Sequence, residues 1–73
     1  MANLNIESEV SGNVWKIEVR IGDQVQVGDV LMILESMKME IPVESPSIGR
    51  VLEILVSTEQ AIEEGQIVAV LAS

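Results

Sequence analysis

The chain has no cysteine and no histidine. Disulfide staples are excluded, and so are the usual structural zinc sites, which draw on those two residue types. Nucleophile–histidine pairs, the common machinery of covalent catalysis, are excluded with them. Phenylalanine and tyrosine are absent, and Trp15 is the one aromatic side chain. Four alanines are too few for the surfaces of a helical bundle. No apolar run approaches the roughly 20 residues of a membrane-spanning helix, so no membrane association is expected. Met1 to Asn5 hold no basic cluster and no long apolar stretch, so they do not read as a secretory leader. Cytoplasmic residence is the expectation. Basic residues are also scarce, four against twelve acidic ones, for a net charge of −8. Nucleic acid is therefore not an expected partner, since phosphate binding needs a basic face. The acids read as a solvated surface, and nothing in the sequence brings two of them together as a catalytic pair.

What remains is aliphatic. Valine and isoleucine supply 20 of the 73 residues and leucine another six. β-Branched side chains are stiff and pack well on a pleated surface, so the mixture points to strands. The length sets one domain over residues 1–73.

The sequence matches itself at a constant offset of 37 residues without gaps. Gly12, Val14, Ile17, Val19, Gly28 and Leu34 recur as Gly49, Val51, Ile54, Val56, Gly65 and Leu71. Val25, Val30 and Ile33 recur as Ile62, Ile67 and Val70, with shape and polarity kept. Two halves with one plan, each with an apolar face to bury, should pack on each other. Lys16 to Ile21 alternates with period two and predicts a strand, as does Gln24 to Val27; Gly-Asp pairs follow both. Val30 to Leu34 predicts a continuous apolar strand. Ile41-Pro42-Val43 resumes strand character, with Pro42 suited to an edge. The second half repeats the series as Val51 to Val56, a piece near Ile62, and Ile67 to Leu71. The fold class is all-β, a sandwich or flattened barrel with internal quasi-two-fold symmetry. Its expected core holds Ile17, Val19, Val25 and Ile33 with their mates Ile54, Val56, Ile62 and Val70. Two-fold symmetry brings the termini together at one end and sends the link between the halves, with Lys38, to the other.

That link reads Glu35-Ser36-Met37-Lys38-Met39-Glu40. It lacks the Gly or Asn that a type I′ hairpin turn favours, so that turn is not expected, while a type I turn, which accepts most residues, stays open. Exposed methionines would be soft, adaptable recognition groups. On residue chemistry alone, however, the segment reads best as an ordinary polar hairpin tip, with Met37 and Met39 closing the end of the core.

Glu35-Ser36-Met37-Lys38-Met39 resembles the attachment motif of the biotinyl/lipoyl carrier domain family, and the likeness extends along nearly the whole chain. Val19 to Val25 and Val27 to Leu31 look like the family's two Gly-Asp turns, and Glu44-Ser45-Pro46 with Gly49-Arg50-Val51 looks like its restart after the lysine. The short chain further resembles small bacterial members. The resemblance implies two four-stranded antiparallel sheets in a flattened, hammerhead-like barrel. It implies covalent biotin on Lys38, attached by a biotin protein ligase that reads Glu35, Met37 and Met39. The chain would then be a carrier and not an enzyme. Its arm of about 14 Å would move carboxybiotin between biotin carboxylase and carboxyltransferase components. Lipoate on the same lysine, with lipoyl-attaching enzymes as partners, is the alternative cargo, although lipoyl domains commonly have Asp before the lysine and a small residue after it. An unmodified interaction module of the same fold is a further alternative. Two departures bear on loop shape: Ser8-Glu9-Val10-Ser11 replaces an Ala-Pro-Met-Pro type of sequence, and Glu59-Gln60 stands where the repeat predicts Gly-Asp. There is no inserted thumb and no Pro/Ala-rich linker, so no tether to a larger partner is expected.

Overall fold

The 37-residue repeat is written directly into the strands of a computed structural model, which describes residues 3–72. β2 (Gly12–Ile17) and β3 (Gln24–Val25) map by the offset onto β6 (Gly49–Ile54) and β7 (Ala61–Ile62), residue for residue. β4 (Val30–Ser36) maps onto β8 (Ile67–Ala72), and β1 (Asn3–Glu7) onto β5 (Met39–Glu44), with ends that differ by one residue. The pairing obeys the same operation. One sheet has the order β1-β8-β6-β3 and the other β5-β4-β2-β7, and all neighbours are antiparallel. The expected fold of two four-stranded sheets is the fold observed, and no helix occurs among the described residues.

The apolar faces of the two sheets close on a core in which Val14, Leu31, Met32, Leu34, Val51, Val68 and Leu71 are all but sealed from water. Burying one such side chain contributes about 1.5–3 kcal/mol. Val25, Val56 and Ile62 are buried as expected, and Ile17, Val19 and Ile54 pack against the core while partly exposed. Ile33 and Val70 are only half-buried. A register slip at Leu31 in β4 accompanies the inward turn of both Leu31 and Met32, and Ile33, expected in the core from the repeat, is left half-buried.

The strand expected over Lys16–Ile21 ends at Ile17, and β2 begins earlier, at Gly12. Glu18 still donates its N–H to Leu31 O (2.9 Å), but Gly22 donates to Val51 O (2.7 Å) on the opposite sheet. Residues 18–21 are thus the crossover between sheets. They keep a period-two pattern because Val19 must reach the core from an extended chain. The second half behaves alike: β6 covers Gly49–Ile54 rather than Val51–Val56, and Leu55 donates to Val68 O (2.9 Å). β3 stops at Val25, and Val27 stands exposed before the Gly28 turn. β1, not foreseen as a strand, pairs along β8.

Glu59 and Gln60 preserve the loop they were expected to alter. Glu59 adopts φ 71°, matching φ 97° at its mate Gly22. Gln60 Oε1 accepts from Ser57 N–H (3.0 Å), as Asp23 Oδ2 accepts from Arg20 N–H (2.9 Å). Ser8 and Ser45 are a further pair at the same offset. Both are buried, and each hydroxyl donates to a carbonyl two residues on, Val10 O at 2.6 Å and Ser47 O at 2.7 Å. A left-handed conformation costs a non-glycine residue about 1–2 kcal/mol, and glycine's extra chain entropy offsets about 0.5–1 of that. Glu59→Gly is therefore expected to raise unfolding stability by up to about 1.5 kcal/mol. A higher urea midpoint is the readout, and an unchanged or lower one would mean that the Glu59 side chain stabilises the turn.

Candidate functional site

The hairpin β4–β5 carries Lys38 at its tip. Leu34, fully buried, pairs with Ile41 and anchors it. Beyond that pair the ladder continues through Glu35↔Glu40 to Ser36↔Met39, leaving Met37 and Lys38 as a two-residue loop. Both loop residues are left-handed, with φ 51° at Met37 and 65° at Lys38. That is the type I′ signature, and it corrects the expectation that the missing Gly and Asn rule this turn out. A two-residue hairpin must match the right-handed twist of its strands, and the I′ geometry does so while type I splays them. Tertiary structure imposes the turn on two side chains that disfavour it. Two consecutive residues of this kind mark a place where local strain is retained.

Lys38 is exposed at the apex, Met37 is 92% exposed and Met39 65%. Neither methionine closes the core; Met32, fully buried, is the core methionine. Glu35 and Glu40 stand directly opposite each other, both exposed, three residues before and two after the lysine. Like charges facing across a ladder destabilise it, so this pairing comes at some cost to the hairpin. The structure thus brings Glu35, Met37, Lys38 and Met39 together on one protruding element. Glu40 is the member that residue-by-residue reading missed, and only the strand register reveals it.

Lys38 also points away from the termini. Glu44, at the base of β5, connects through residues 45–48 to Gly49, whose neighbour Arg50 pairs with Ala72, and Ala72 pairs with Asn3. The lysine tip therefore lies at the end opposite the paired termini of a body measuring 36 × 17 × 17 Å. Lys16, by contrast, sits within β2, its ammonium 5.6 Å from the centre of the Trp15 ring. Among the described residues no cluster of carboxylates could hold a metal ion.

A family model described as "Biotin-requiring enzyme" matches residues 3–71, nearly the whole of this β-sandwich with its lysine-tipped hairpin. The chain belongs to the biotin/lipoyl family. Among its relatives is the biotin/lipoyl attachment protein of Bacillus subtilis, 36% identical over 70 residues that cover 96% of each chain. Another is the biotinylated protein TB7.3 homolog of Mycobacterium leprae, 41% identical over 93% of this chain and 96% of that one. The crystal structure of urea carboxylase from Kluyveromyces lactis superimposes with a TM-score of 0.93 at 35% identity, covering 99% of this chain. The chain spans only 6% of that much longer protein. In this biotin/lipoyl domain, the Ser8–Ser11 departure leaves the framework intact. Ser8 holds its loop as Ser45 does in the other half, and Ser8 O accepts from Gly65 N–H at 2.8 Å as Ser45 O accepts from Gly28 N–H at 2.9 Å.

Proposed function

We propose that Lys38 is the residue that holds biotin covalently, placed there by a biotin protein ligase. The protein is a biotin carrier and not itself an enzyme, in keeping with full-length similarity to small attachment proteins. One observation carries the assignment of the residue: Lys38 stands exposed at the apex of a strained two-residue turn, on a hairpin anchored by the sealed core residue Leu34. The site fits the group, because an exposed lysine at such an apex presents an amine on a long flexible stem above a rigid base. To accept the acyl group of biotin, the Lys38 amine must lose its proton and attack an activated carboxyl carbon, which the ligase supplies. Attached biotin accepts and donates a carboxyl group. The hairpin's part is to hold the arm's root still while its end sweeps about 14 Å, and tethering of this kind raises the local concentration of the reacting group. The partners we propose are the carboxylase and carboxyltransferase components of a biotin-dependent carboxylase, because relatives include a domain of a urea carboxylase. Incubation with ligase, ATP and biotin, followed by intact mass and peptide mapping, tests the reading. One biotinyl group on Lys38 is the expected result; lipoate in its place on protein from native cells, or no modification at all, overturns it.

Met37 and Met39 are proposed as ligase-recognition groups, with Glu35 contributing charge. Both methionines are exposed, so replacing them removes little buried area. Met37→Asp with Met39→Ala is expected to slow biotinylation at least about tenfold, the scale of a small mismatch in an apolar pocket, while the melting temperature moves little. A ligase time course beside a melting curve checks this. Equal labelling would mean that the ligase reads other parts of the domain.

A further inference from the structure

We infer that Met37 and Met39 make the loading of Lys38 sensitive to oxidation, each being a site of reversible sulfoxide formation. The inference rests on the carrier reading above and adds a modification site and a control to it.

The chain has no cysteine, so methionine thioethers are its only sulfur groups. Among the described residues there are three, and the fold sorts them sharply. Met32 is fully buried in the core, whereas Met37 is 92% exposed and Met39 65%. The exposed pair flanks Lys38 on both sides, Met37 in the left-handed turn and Met39 at the first position of β5. Oxidation follows access, so among the described residues an oxidant in water meets Met37 and Met39 before Met32, and no thiol of this chain competes for it.

The reaction is a two-electron step. The thioether sulfur attacks one oxygen of hydrogen peroxide, and the O–O bond breaks. One oxygen stays on sulfur as the sulfoxide and the other leaves as water; sulfur is oxidised and the peroxide reduced. A flexible apolar side chain becomes a polar, chiral one. A ligase surface shaped for two soft apolar groups then faces two polar ones, with a desolvation cost at each. Methionine sulfoxide reductases, with a dithiol as electron donor, return the thioether and release water and a disulfide. Both epimers need their own enzyme. The fold should not notice either change, because neither side chain fills the core.

The test uses the full chain. Peroxide-treated protein, with sulfoxide mapped to Met37 and Met39 and Met32 intact, is compared with untreated protein for biotinylation rate and melting temperature. We expect the rate to fall at least about tenfold, the melting temperature to stay, and both reductases together to restore the rate. An untreated protein that takes no biotin overturns the carrier reading and this inference with it. A treated protein that labels at the untreated rate overturns this inference alone. So does a loss of rate that the reductases do not reverse, since that would assign the damage to another group such as the half-exposed Trp15.

Discussion

Lys38→Arg protein is expected to take up no biotin from a biotin protein ligase, while folding as well as the parent. Arginine keeps the positive charge and most of the length of the side chain. Its guanidinium stays protonated at working pH and is not an amine nucleophile, so acyl transfer has no acceptor at the apex. The remaining lysine, Lys16, offers an amine in the wrong setting. It lies inside β2, on the face of a sheet, with its ammonium over the Trp15 ring, and no methionine pair surrounds it. Stability should hold because Lys38 is exposed at a hairpin tip, and the positive φ of residue 38 is no harder for arginine than for lysine. Intact mass after prolonged labelling is the measurement. A biotinyl group on Lys16 of the variant would show that the ligase does not require the hairpin apex, and the assignment of the site would fall.

How far residues alone could foretell this site depends on which physical force sets each feature. The sheet pairing was legible because matched glycines and matched aliphatic positions at one offset leave few ways to bury two like faces. The exit of residues 18–21 from the strand was not, because an extended crossover that must place Val19 in the core keeps the same alternation as a paired strand. β1 is legible only when the repeat is extended backward from Gly12. Ile6 and Ser8 stand at the offset from Val43 and Ser45, and both pairs are buried. The turn at Met37 and Lys38 ran against local preference, since I′ geometry favours Asn and Gly. The demand there comes from strand register, Ser36 opposite Met39, which is a property of the whole hairpin. It is also the place proposed for the chain's chemistry, and broken local rules are what a functional site leads one to expect.

The repeat allows a sharper experiment on the hairpin's footing. Gly12 and Gly49 are mates, and each lies against a carbonyl of the long strand beside it. A Cβ on Gly49 would stand 2.6 Å from Ala72 O, and a Cβ on Gly12 would collide with Glu35 O in the same manner. Both obstacles are backbone, so the strand itself must shift. Alanine at either position is expected to destabilise the domain by about 1–3 kcal/mol, the usual cost of overpacking. For a domain this small that is a large share of its stability. The two variants should differ in function. Glu35 lies three residues before Lys38, so Gly12→Ala displaces the root of the attachment hairpin, whereas Gly49→Ala displaces the equivalent point beside the chain's C-terminal end. With both variants held well below their melting temperatures, Gly12→Ala should lose biotinylation rate while Gly49→Ala labels like the parent. Denaturant melts give the first comparison and ligase time courses the second. Equal labelling by both variants would mean that the ligase tolerates a moved root, and that the fixed position of the hairpin is not what the enzyme reads.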